Sequence, residues 1–101
     1  YPPFMRLIRI TLKHKKPQVV NDAMKLYAHW LKQQLGEWLL GPAVPYVGRV
    51  RNYYLLDVLI KLEMNPQKIN FAKKHIHAAT EQLKQTQGFS NVRVSIDVDP
   101  Y

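Results

Sequence analysis

The run Tyr53-Tyr54-Leu55-Leu56-Asp57-Val58-Leu59-Ile60-Lys61-Leu62 decides the fold. Side chains of an extended chain alternate, so Tyr54, Leu56, Val58, Ile60 and Leu62 share one side of a strand. Tyr53, Leu55, Asp57, Leu59 and Lys61 share the other. Just beyond it, Asn65-Pro66 places an N-cap residue before a proline suited to the first helical turn. Ile69, Ala72, Ile76, Ala79 or Thr80, and Leu83 then recur at steps of three and four, the stripe of a helix lying on a core, and Gly88 ends the pattern. Val92, Val94, Ile96 and Val98 alternate with Arg93, Ser95, Asp97 and Asp99, which predicts a half-buried closing strand.

The same order stands upstream. Arg6–His14 alternates, with Ile8, Ile10 and Leu12 on one side and Arg9, Thr11 and Lys13 on the other. Pro17 opens a helix whose apolar stripe is Val20, Ala23, Met24, Tyr27, Trp30 or Leu31, and Leu35, and Gly36 stops it. A short apolar piece, Trp38–Leu40, precedes Gly41-Pro42-Ala43-Val44-Pro45, which breaks any regular ladder. The stretch to Arg51 is expected as a protruding loop or as two strand pieces around a bulge. The order β-α-β-β-α-β predicts an α+β, ferredoxin-like sandwich, one four-stranded sheet with two helices on one face. Strands one and three are expected as a central parallel pair. Residues 1–5, with Tyr1-Pro2-Pro3-Phe4 and no initiating Met, read as a linker, and 6–101 as one domain excised from a longer chain.

The 101 residues are 47% apolar and 11% aromatic, enough for one core and too few for two. Fifteen Lys and Arg against seven Asp and Glu leave a net charge of +8, which points to a polyanionic partner. The absence of cysteine excludes disulfides, thiolate zinc sites and Cys nucleophiles. No apolar run approaches the ~20 residues of a membrane span, and a cytoplasmic location is expected. The catalytic inventory is thin. His75 and His77 lie ~200° apart on a helix and cannot share a metal from one face. Asp97 and Asp99 share a strand face and are more plainly read as ion-pairing residues than as a carboxylate pair. No Gly-rich phosphate loop is present. The basic turn His14-Lys15-Lys16-Pro17 lacks the glycines that an acylphosphatase loop would need. No catalytic or metal-binding residue is therefore assigned.

Cations carry more information. Between residues 1 and 36 the only acid is Asp22, against Arg6, Arg9, Lys13, Lys15, Lys16, Lys25 and Lys32. Lys13, Lys15 and Lys16 gather between the first strand and first helix. Arg49 and Arg51 stand two apart among Tyr46, Tyr53 and Tyr54, where an extended chain would project both to one side and tyrosines would stack on bases. The helix-free sheet face would also show Leu7, Leu55 and Leu59, an apolar patch suited to docking on another part of a longer protein.

Several segments together resemble one family. Tyr1-Pro2-Pro3-Phe4, Arg6-Leu7-Ile8-Arg9-Ile10-Thr11-Leu12, Leu40-Gly41-Pro42-Ala43, Arg49-x-Arg51 and Val92-Arg93-Val94-Ser95-Ile96-Asp97-Val98-Asp99-Pro100 are similar to the C-terminal domain of the bacterial primosomal replication-restart helicases, the PriA (primosomal protein N′) family. The resemblance runs end to end. It implies a parent chain that is an ATP-dependent 3′–5′ DNA helicase (an ATP hydrolase), restarting stalled forks and starting primosome assembly with other primosome proteins. It implies that this domain binds forked or single-stranded DNA and packs on the helicase core, while ATP, Mg2+ and Zn2+ belong to N-terminal segments and this piece alone is no enzyme. By position, Arg49, Arg51 and Lys61 keep the family's basic character, and Tyr53 and Leu55 stand where many members have arginine. Lys68 stands near the place where the family helps bind the acidic tail of single-strand DNA-binding protein.

Overall fold

Two strand–helix–strand units interleave in the computed structural model, which describes residues 5–41 and 48–98. The first unit comprises β1 (Met5–His14), α1 (Pro17–Leu35), a 3-10 turn (Gly36–Trp38) and β2 (Leu39–Leu40). The second comprises β4 (Tyr53–Glu63), α2 (Pro66–Gln85) and β5 (Arg93–Val98), with β3 (Gly48–Val50) leading into it. The sheet runs β2-β4-β1-β5, and β3 also pairs with β4. Each helix thus joins two parallel strands with one strand of the other unit between them, the split plan of a ferredoxin-like sandwich.

The expected central pair forms, from Met5↔Glu63 to His14↔Tyr54, but it is antiparallel. The physical reason is the interleaving: a helical crossover makes the strands it joins parallel, and β1 and β4 belong to different crossovers. β5 is antiparallel to β1 from Ile8↔Val98 to Lys13↔Arg93. The stretch to Arg51 yields two strand pieces. Leu39 pairs with Ile60 and Leu40 with Leu59, whereas Gly48 pairs with Leu55 and Val50 with Tyr53. The chain between the pieces is four residues longer than a continuous ladder needs.

Burial follows the alternation. Ile8, Ile10 and Leu12 of β1 and Leu56, Val58, Ile60 and Leu62 of β4 form the floor of the core. Val20, Ala23, Met24, Tyr27, Leu31 and Leu35 of α1 and Ala72, Ile76, Ala79, Thr80 and Leu83 of α2 close over it. Each large apolar side chain so covered contributes roughly 1.5–3 kcal/mol. Leu31 rather than Trp30 completes the first stripe, and both Ala79 and Thr80 complete the second. The helices are joined by Tyr27, whose hydroxyl lies 3.0 Å from Thr80 Oγ1. Burial pushes the Tyr27 phenol up to about 12, partly offset by that hydrogen bond. α1 ends where expected, with Gly36 at φ 56°; α2 ends at Gln85, before Gly88.

Candidate nucleic-acid interface

Where β1 ends, the chain turns at Lys15-Lys16 and enters α1 at Pro17. Lys16 occupies the N-cap, makes no side-chain cap bond, and no acidic residue stands in the first turn of α1. Its own N–H donates to His14 Nδ1 at 3.0 Å, which fixes the turn. Free N–H groups and the helix dipole make such a helix start locally positive.

This turn forms one wall of an open recess of about 1050 Å3. Among the described residues, Lys13, Lys15, Lys16, Lys84 and Arg93 line it with His14, and no carboxylate does. Register explains the gathering: Lys13 stands directly across from Arg93, and the last turn of α2 brings Lys84 back to the same end of the sheet. Tyr53 lies on the recess floor, with Lys13 Nζ 5.0 Å and Arg93 Cζ 5.5 Å from its ring centroid. Attraction of the cations to the ring holds the two head groups side by side. Like charges held together without a counter-charge suit an incoming polyanion, whose phosphates relieve their repulsion.

Of the expected nucleic-acid residues, Lys13, Lys15, Lys16 and Tyr53 meet here. Lys61 does not: eight positions along β4 from Tyr53, it is about 26 Å away at ~3.3 Å per residue, opposite Leu7. Arg49 and Arg51 do not share an extended segment. Arg49 pairs with Tyr54 in the backbone register, and its side chain lies outside the described residues, as does Tyr46. Arg51 occupies the two-residue turn joining β3 to β4 and has φ 57°, the only positive φ among described residues other than glycine. Sequence reading missed Lys84 and Arg93. Their signal was present: a fourth strand in this topology must lie beside the first, which brings Arg93 to Lys13.

The helix-free face carries Leu7, Leu55 and Leu59, all half-buried. Leu59 lies beside Leu40 and Arg9, and Leu55 is divided from it by Asp57, whose Oδ1 accepts from the Thr11 hydroxyl at 2.7 Å. Lys68 lies elsewhere, at the start of α2, where Asn65 caps the helix by accepting from Gln67 N–H at 2.9 Å and Lys68 N–H at 3.4 Å. The Lys68 ammonium pairs with Glu63 at 3.1 Å. One turn further, Phe71, 43% exposed, packs edge-on against Trp38 and His75 at centroid distances of 6.2 and 4.5 Å. His77 faces the other flank of α2, so the two histidines are separated as their spacing requires. Asp99 lies outside the described residues. Among the described residues no three His, Cys, Asp or Glu side chains gather as metal ligands, and no helix is long and apolar enough to cross a membrane.

Comparison with known proteins covers the whole chain. The family described as primosomal protein N C-terminal domain matches residues 1–101. Replication restart protein PriA of Bacillus subtilis (strain 168) is 27% identical over 103 residues, covering 100% of this chain and 12% of that protein. Replication restart protein PriA of Treponema pallidum (strain Nichols) is 31% identical over 103 residues, 99% of this chain and 14% of that protein. The chain therefore spans about an eighth of the length of these relatives. Among solved structures, the de novo designed protein Foldit4 superposes with a TM-score of 0.68 at 11% identity, over 96% of this chain and 98% of that one. A hydantoinase/carbamoylase family amidase from Burkholderia ambifaria gives a TM-score of 0.59 at 12% identity, over 95% of this chain and 27% of that one. At such identities these two matches establish the fold alone.

Proposed function

The chain belongs to the family of primosomal protein N C-terminal domains, and from that premise we propose that it is a DNA-binding accessory domain of a replication-restart helicase. One observation carries this reading: among the described residues, five cations and no carboxylate line a single recess at the uncapped start of α1. DNA phosphates would lie against Lys13, Lys15, Lys16, Lys84 and Arg93, and Tyr53 offers an aromatic surface for an unpaired base. On this reading the parent chain is a cytoplasmic ATP-dependent helicase working with other primosome proteins on forked or single-stranded DNA. Its ATP, Mg2+ and Zn2+ would be held outside this domain, whose cysteine-free sequence and scattered acids do not suit them.

Fluorescence anisotropy against a labelled fork, its single strand and its duplex, over a range of salt, tests the reading. Lys13→Ala with Arg93→Ala is expected to weaken binding at low salt and to flatten the salt slope by about 1.4–1.8, from ~0.7 to ~0.9 per lost phosphate contact. An unchanged slope would remove the recess from the interface.

A second reading rests on exposed Phe71, packed on half-buried Trp38 and His75 one turn from Lys68. An apolar, acidic peptide such as the tail of single-strand DNA-binding protein would place its apolar side chains on these aromatics and a carboxylate on Lys68, displacing Glu63. Leu7, Leu55 and Leu59 would meanwhile brace the helicase core. NMR titration with an acidic tail peptide should move resonances of Phe71 and Lys68; shifts confined to the recess would sink this reading.

A further inference from the structure

The two edges of the sheet are not protected alike. At one edge β2 and β3 are two and three residues long and their registers on β4 disagree by four, so no continuous strand can add there. At the other edge β5 runs six residues without proline, and among the described residues only β1 pairs with it. Its core-side row is incompletely covered: Ile96 is 47% exposed. Ile96 and Val98, with Ile8 and Ile76, line an apolar groove of about 180 Å3 between β5 and α2. An edge with open backbone groups and an apolar row is a template for another strand.

The sequence of β5, Arg93-Val94-Ser95-Ile96-Asp97-Val98, complements its own reverse. Two copies placed antiparallel about a twofold axis through Ser95 set Arg93 opposite Asp97 twice and Val94 opposite Ile96 twice. Every pair keeps both members on the same face of the sheet, as strand pairing requires. Centring on Ile96 instead sets Ser95 against Asp97, and centring on Val94 sets Arg93 against Ser95, so neither matches opposite charges within the strand. Closed pairing of this kind is isologous and ends at two copies. From this self-complementarity we propose that two copies of the chain associate through β5, joining their sheets with Ser95 at the centre.

Because Arg93 also lines the recess, the second copy's Asp97 and a bound phosphate compete for it, and pairing opposes nucleic-acid binding at that end.

Sedimentation of the full chain across a concentration range reads the association directly, without DNA, and so stands or falls apart from the proposed function. Arg93→Asp or Asp97→Arg alone sets like charges opposite one another twice and should raise the dimer dissociation constant at least ~10-fold; both together restore opposite pairs and should restore association. The chain has no cysteine, so single cysteines report the register. Ser95→Cys should cross-link under oxidation, since directly opposed Cα atoms lie ~4.5–5.5 Å apart, within disulfide reach. Asp97→Cys should not, being about 13 Å from its own copy at ~3.3 Å per residue. A monomer at every concentration, or a dimer indifferent to both charge swaps, would overturn the proposal.

Discussion

Both helices begin with proline after an extended residue, α1 at Lys16-Pro17 and α2 at Asn65-Pro66, and both follow a strand of the central pair. At α2 the Asn65 carboxamide satisfies two N–H groups, and the nearest cation, Lys68, is paired with Glu63. At α1 no side chain caps the helix, and the neighbouring cations face a recess that no carboxylate lines among the described residues. The difference teaches where each unit places its stability. The second unit closes its helix start with a side chain of its own, whereas the first leaves its start uncapped among lysines. A cap is worth ~1 kcal/mol, so an uncapped start surrounded by lysine gives up stability in a place where an anion would restore it.

The sharpest way to break this contrast is to reverse the charge at one start only. Lys15→Glu with Lys16→Glu should lower DNA affinity by about 100-fold at low salt in an anisotropy titration. The reversal should leave thermal unfolding unmoved or slightly raised, because both residues are exposed and acidic side chains suit a helix start. Next in size is the link between the helices. The folded chain holds the Tyr27 proton more tightly than the unfolded chain does, so this contribution is whole below pH ~10 and drains as pH rises toward 12. Denaturant titrations across that window should lose about 2–3 kcal/mol at ~1.4 kcal/mol per unit, and Tyr27→Phe should abolish this dependence. Asn65→Ala should cost about 1 kcal/mol of unfolding free energy and leave DNA binding alone. Lys16→Asn should do the opposite, gaining up to ~1 kcal/mol while removing one cation from the salt slope. Smallest of all, Lys68→Ala should change stability by less than ~0.5 kcal/mol, since its pairing with Glu63 is at the surface.

How much of this was legible in the sequence depends on how far apart the partners are. The strands, both helices and the Asn65 cap rest on neighbours within a few residues, and periodicity located them. The broken edge was legible too, because Gly41-Pro42 and Pro45 cannot carry a ladder. The direction of the central pair was misread because strand order and strand direction are separate consequences of a crossover. The recess was half legible. Lys13, Lys15 and Lys16 stand together in the chain, but Arg93 joins Lys13 only through sheet register across 80 residues, and Lys84 through the path of α2. Arg51 was misplaced by treating its segment as extended, when the tightness of the β3–β4 connection forces a positive φ there.

The interleaving of the two units also decides when the chain can fold. β1 does not pair with β2, nor β4 with β5, so neither half of the sequence contains a pair of adjacent long strands among the described residues. During synthesis β1 must wait for β4, whose partners lie 40 to 58 positions downstream, and then for β5, up to 90 positions away. Contacts so distant in sequence slow the search for the native state. Until β4 emerges, the growing chain holds an apolar strand and an amphipathic helix with no sheet to rest on, and this is the interval in which a chaperone would matter most.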